Sequence, residues 1–206
     1  MLTTKDFETL SIRATAAYMF CCLENALEFY KLNGTGWRYL LSQMWKYTEL
    51  SLEVVNGVCS FDTWEDWISI SPLMPYFYNK LKSEGYKECK KDLRWIEITE
   101  EDYLALRNDY QQTNDVINNL CHNIDHGAMG QTWCGFHKTA EHILYYLQKV
   151  LEIMEENKIP LPDIEPFKKY PFSIPEYDED TYGWGYAFDG TQYSKYVNSD
   201  GSKNIK

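Results

Sequence analysis

The chain contains no apolar run long enough to cross a bilayer. Its longest, Ala14 to Leu23 with Thr15 inside it, is about half of a spanning helix. The flank before it, Thr3-Thr4-Lys5-Asp6-Phe7-Glu8, lacks the basic stretch that opens a secretory signal. Both gaps predict no membrane partner and a cytoplasmic location. Positive charge is scarce: 31 acidic residues stand against 20 basic ones, for a net charge of -11. Such a field repels nucleic-acid phosphates and anionic lipid, and it steers basic proteins or cations inward. The sole basic cluster, Lys87, Lys90, Lys91 and Arg94, reads as a solvated face. Period-two alternation is almost missing; Arg94 to Ile98 is one strand-like stretch, too short to build a sheet. Catalytic signatures are missing too. There is no Gly-x-Ser-x-Gly elbow, no glycine-rich phosphate loop with its lysine, and no His-Glu-x-x-His. Carboxylate pairs such as Glu65-Asp66 and Glu100-Glu101 are what so acidic a chain holds by chance.

What the chain does have is three-four spacing of apolar residues, the mark of helices with one buried face. Asp6 to Leu32 predicts a first helix, apolar on so much of its circumference that it needs partners on two sides. Trp37, Leu40, Leu41, Met44 and Trp45 open a second, expected to run to Val55 and stop at Asn56-Gly57. Asp62 to Trp67 reads as a short acidic helix and Tyr76 to Leu81 as a further turn or two. The strongest pattern spans Thr99 to Asn157. Tyr103, Leu106, Tyr110, Ile117, Leu120 and Ile124 mark one long helix, interrupted only by Thr113. Thr99 and Asp102 are placed as a capping pair, with Ile98 and Tyr103 as the staple around them. Ala140, Ile143, Leu147, Val150 and Met154 mark its antiparallel partner. His126-Gly127-Ala128-Met129-Gly130 reads as the turn between the two. These elements predict a mostly α, single-domain helical bundle (residues 1–158) with four principal helices.

Beyond the bundle the chain changes character. Ile159-Pro160-Leu161-Pro162 cannot continue a helix. Residues 159–196 are rich in proline, glycine and tyrosine and predict an extended aromatic strap, laying Phe167, Phe172, Trp184 and Phe188 onto the bundle. Residues 197–206 read as a frayed tail. Within the strap an acidic run, Glu176, Asp178, Glu179 and Asp180, precedes Trp184 and Tyr186. Aromatic anchors ringed by carboxylates suit a basic protein partner, so these six are the candidate partner-binding residues.

A second candidate site is the hairpin tip, residues 121–142, where Cys121, His122, His126, Cys134, His137 and His142 fall together. His122 and His126 stand one helical turn apart, the spacing two histidines need to share a zinc ion. A metal- or Cys/His-dependent enzyme is therefore the alternative function. The same histidines also fit the last turn of a helix, where the dipole favours imidazolium without any metal. The ligand spacing matches no zinc-finger or zinc-hydrolase pattern. No cofactor is expected. Cys21, Cys22, Cys59, Cys89, Cys121 and Cys134 read as free thiols of a reducing compartment, packed as small hydrophobes.

Two stretches carry a family likeness. Ile159-Pro-Leu-Pro-Asp-Ile-Glu-Pro-Phe-Lys-Lys-Tyr-Pro-Phe-Ser173, followed by Gly183-Trp-Gly-Tyr-Ala-Phe-Asp-Gly190, resembles the tail of bacterial immunity proteins encoded beside polymorphic or contact-dependent toxins. Trp37-Arg-Tyr-Leu-Leu-Ser-Gln-Met-Trp45, with the Trp-containing segment Asp62 to Trp67, is similar to helices of such families. The likeness covers about half the chain, and the Cys/His-rich tip stands outside it. It implies a small cytoplasmic protein that binds a cognate toxin domain, a basic nuclease being one candidate, and has no catalytic residues of its own. Elemental analysis of the purified protein separates this from the alternative. No stoichiometric transition metal is expected; one equivalent of zinc, lost in His126→Ala, would point to the tip instead.

Overall fold

Ser11 opens the first long helix. Its side-chain oxygen accepts from the Ala14 amide at 3.2 Å, satisfying one of the orphan donors of a helix start. Helix α1 then runs Ile12–Phe29. It does not begin at Asp6. Thr4–Phe7 form a short 3-10 turn instead, and Leu10 makes an antiparallel bridge with Pro171. The computed structural model describes residues 2–49, 52–55, 58–61, 86–87, 98–133, 140–172 and 183–197, with only the backbone described at 52–55, 58–61 and 129–133. The sequence readings at 62–81, at Cys89, Lys90, Lys91 and Arg94, at Cys134 and His137, and at 198–206 lie outside these residues.

Helix α1 is the centre of the molecule. All of its residues except Asn25, Glu28 and Phe29 are buried, as its broad apolar circumference predicts. Small side chains at Ala14, Ala17, Cys21, Cys22 and Ala26 let neighbours come close. Its end is a Schellman motif. Leu32 N–H donates to Leu27 O at 2.7 Å and Lys31 N–H to Glu28 O at 3.0 Å, with Lys31 in the left-handed region at φ 60°.

Helix α2 covers Thr35–Trp45, and the predicted core face is buried at Trp37, Leu40, Leu41, Met44 and Trp45. The helix stops well before Val55. A 3-10 turn at Lys46–Thr48 follows, then a hairpin of β1 (Leu52–Val55) and β2 (Val58–Phe61). Leu52 pairs with Phe61 and Val55 with Val58. The residues between the strands, Asn-Gly, are the strongest two-residue hairpin signal in a sequence. Flanked by valines, that signal prevails over its use as a helix stop.

The predicted long helix from Thr99 is two helices, α3 (Glu100–Tyr110) and α4 (Asp115–Trp133). Thr99 and Asp102 cap α3 as expected: the Asp102 amide donates to Thr99 Oγ1 at 3.1 Å, and that hydroxyl donates to the Asp102 carboxylate at 2.7 Å. The break falls at Thr113, the one residue off the stripe. Its hydroxyl donates to Tyr110 O at 2.8 Å, and Asn114 Oδ1 accepts from the Ile117 amide at 3.0 Å as the cap of α4. The glycine segment at 126–130 is then no turn. It continues α4, and α5 follows at Glu141–Glu156, with Ile143, Leu147, Val150 and Met154 fully buried. Each such side chain contributes about 1.5–3 kcal/mol through removal from water. Among the described residues five α-helices carry a mostly α fold, as the sequence predicts.

Two glycines explain how closely these helices pack. A Cβ on Gly36 would lie 2.3 Å from Leu106 Cα, so α2 and α3 meet backbone to backbone. A Cβ on Gly127 would meet Met19 Cε and Tyr146 Cβ, each at 3.0 Å; this glycine lets α4 settle against α1 and α5. Side chains can yield where backbone cannot. Gly36→Ala is expected to cost about 3 kcal/mol and Gly127→Ala about 1 kcal/mol, read from urea unfolding midpoints. The opposite order would disprove this account of the α2–α3 crossing.

Candidate functional site

The aromatic strap is fixed by two ionisable side chains buried on α1. Arg13 is 1% exposed. Its Nε donates to Gly185 O at 3.3 Å, and Nη1 faces Tyr47 O and Thr48 O at 3.3 and 3.4 Å. Its guanidinium lies over the Trp184 ring, 5.9 Å from the centroid. Burial brings Arg13 down to about 10, which still leaves it a cation at neutral pH. Among the described residues no carboxylate is paired with it. Three turns further along α1, Glu24 is also 1% exposed. It accepts from Trp45 Nε1 at 2.8 Å, Ser194 Oγ at 2.6 Å and the Lys195 amide at 2.7 Å. Burial raises its carboxyl above the usual glutamate range against the pull of those donors.

Backbone contacts complete the seam. Ser11 N–H donates to Tyr170 O and Ile12 N–H to Gly183 O, both at 2.9 Å, and Phe188 N–H donates to Thr48 O at 2.9 Å. Gly183 and Gly185 hold φ of 82° and 73°, which L side chains rarely adopt. A Cβ on Gly185 would also come 2.5 Å from Ser11 Cβ. Tyr170 stacks on Phe188 at 3.8 Å between ring centroids. Phe167 and Trp184 are buried, and Phe172 and Phe188 pack against the core at partial exposure. Val197 is 2% exposed and packs into the core.

The predicted partner-binding residues part company here. Trp184 is fully buried, its ring centroid 5.6 Å from that of Tyr47; it is an internal anchor, with no surface to offer a partner in this conformation. Tyr186, two residues on, is 51% exposed. An extended chain would put both on one side; the positive φ of Gly185 between them breaks that register. Glu176, Asp178, Glu179 and Asp180 lie outside the described residues.

At the predicted hairpin tip, His122 and His126 do share a face of α4, their ring centroids 4.0 Å apart. They lie inside the helix rather than in its last turn, so the dipole argument for imidazolium fails. Partial burial and the neighbouring His126 hold His122 below the ordinary histidine value. His126 Nδ1 donates to His122 O at 2.9 Å, and His142 Nε2 donates to His126 O at 2.9 Å. The first bond lies within α4; the second ties α5 to α4. Cys121 is 1% exposed, and burial pushes its thiol up to about 12. It is therefore protonated at neutral pH and unsuited to nucleophilic attack. Among the described residues no group of three or more metal-ligating side chains forms. Cys21 and Cys22 are likewise free and buried.

Sequence reasoning missed Arg13 and Glu24. The available signal was charge inside or beside the longest apolar run, where the chain must find a partner for it. No protein-family model, curated protein or solved structure was found to match the chain.

Glu24 generates a pH prediction. Its folded pKa lies above its unfolded value, so its contribution to stability is complete below the unfolded value. That contribution is lost as pH rises through the folded value. Relative to the parent protein, Glu24→Gln should therefore gain stability as pH increases from about 4 to about 7. Paired urea titrations across that range check it. A pH-independent difference would show that the donors, rather than burial, dominate the Glu24 carboxyl.

Proposed function

We propose that this chain is an immunity protein that binds a cognate bacterial toxin domain and neutralises it by occlusion, in the cytoplasm of the cell that makes it. The observation that carries the reading is the display of Tyr186. It stands half-exposed on a strap clamped through Arg13 and Glu24, a few residues after the acidic run 176–180. A rigidly held aromatic loses little entropy on binding and gives a partner desolvated contact area. The net charge of -11 suits a basic partner, such as a nuclease whose cleft must attract phosphates. Long-range attraction makes association fast and salt-sensitive. The family resemblance of segments 37–67 and 159–190 points the same way. Among the described residues no helix is long and apolar enough to cross a membrane.

The contacts in this reading are Glu176, Asp178, Glu179, Asp180 and Tyr186, with Trp184 as the anchor that holds the strap. Occlusion needs no catalytic group in the inhibitor, only a surface that covers the toxin's active cleft.

Co-expression with a toxin domain encoded next to this gene tests the reading. Growth should be rescued and a complex should co-purify. Tyr186→Ala combined with Asp178→Asn, Glu179→Gln and Asp180→Asn should weaken that complex by about tenfold or more. It should also flatten the salt dependence of association, while leaving thermal stability unchanged. Trp184→Ala should instead lower stability by about 3–5 kcal/mol. Failure of both rescue and complex formation removes the immunity reading. Rescue with an unchanged affinity in the four-residue variant moves the interface elsewhere, for instance to the exposed Tyr145 on α5.

A further inference from the structure

The end of α1, the start of α2 and the close of the strap enclose a cleft of about 650 Å³, within the range of small-molecule sites. Its charge is opposite to that of the chain as a whole. Lys31, Arg38 and Lys195 line it, with Glu28 as the one carboxylate among the described lining residues. Glu28 is already engaged, holding Lys195 Nζ at 2.5 Å. Lys31 and Arg38 are left without an ion pair among the described residues. Arg38 Nε is buried and has no acceptor. An unmet guanidinium donor of this kind is a cost the fold carries.

The other walls are firm. Tyr196 is 8% exposed and its hydroxyl donates to Leu32 O at 3.4 Å. Lys195 N–H is tied to the buried Glu24. The first turn of α2 takes no part as an anion holder, since its Trp37 amide already donates to Asp109 at 3.2 Å. Recognition therefore falls to side chains.

We propose that this cleft binds the phosphate group of a small phosphomonoester. Two unpaired cations match the charge of about -2 that a phosphomonoester carries at neutral pH, whereas a carboxylate would leave one cation uncompensated. The planar fork of Arg38 suits two oxygens of one phosphate, and Lys31 supplies a point charge beside it. The cleft is several times larger than a phosphate alone, so it has room for the body of the molecule as well. This site is independent of the proposed toxin-binding surface, and either can stand without the other.

The test is titration of the full chain with inorganic phosphate and with AMP, against chloride at matched ionic strength, followed by amide ¹H–¹⁵N spectra. Saturable shifts are expected at Leu32 and Asn33 and at Lys195 and Tyr196, for both phosphate probes and not for chloride. Arg38→Gln should weaken the response by about tenfold. Lys31→Gln, at an exposed position where misfolding is not a concern, should also weaken it, and the double variant should abolish it. The proposal is overturned if neither probe saturates, if chloride gives the same shifts, or if Lys31→Gln and a folded Arg38→Gln both respond like the parent.

Discussion

A guanidinium that cannot reach water constrains the whole molecule. Arg13 sits in the middle of an otherwise apolar helix, and its donors are met by carbonyls of Tyr47, Thr48 and Gly185. Those residues come from the turn after α2 and from the far end of the chain. Leaving any of them out of place strands a buried cation, which costs several kcal/mol. Glu24 repeats the device three turns along, collecting Trp45, Ser194 and the Lys195 amide. Helix α1 therefore positions the strap by polar demand as much as by apolar packing. Hydrophobic contact alone tolerates sliding. A fork of donors aimed at three named carbonyls does not.

That arrangement explains which parts of the fold can be read from sequence. Buried faces were legible at Trp37 to Trp45 and at Ile143 to Met154, because period 3.6 reports burial directly. The Thr99–Asp102 cap was legible because capping is local chemistry. Three of the boundaries that went astray hinge on choices between two local meanings. Asn56-Gly57 can stop a helix or turn a hairpin, and the strand residues on each side decide. Gly127 can end a helix or admit a neighbour, and only the positions of Met19 and Tyr146 decide. Thr113 looked like a blemish on one long stripe. Its hydroxyl bond to Tyr110, with Asn114 as the next cap, makes it a boundary.

The candidate site was less legible for a related reason. Sequence placed Trp184 and Tyr186 in one aromatic patch, since composition does not say which way a side chain faces. The backbone of Gly185 does, and its φ cannot be read from residue names. The histidine spacing was correct in placing His122 and His126 on one face. Their meaning changed once α4 ran on past Gly127. Rings expected at a helix end became rings along the helix, with His126 bonded to the His122 carbonyl one turn back. Of the six cysteines, the three whose side chains are described, Cys21, Cys22 and Cys121, stand where burial favours the thiol over the thiolate, and they serve as apolar filling.

A net charge of -11 spread over a small surface imposes its own selection on what stays positive. Lysines and arginines in such a chain are readily neutralised by nearby carboxylates, and Lys168 and Lys195 are, by Glu165 and Glu28. A pair of cations without an ion pair among the described residues, Lys31 and Arg38, sits on two helix ends: one in the left-handed residue that closes α1, the other in the first turns of α2. Local sign reversal of this kind persists without a ligand only because folding energy elsewhere offsets it. The same α1 that buries Arg13 and Glu24 to seat the strap thereby also brings Tyr196 over its own C-terminus and forms the wall of that cleft.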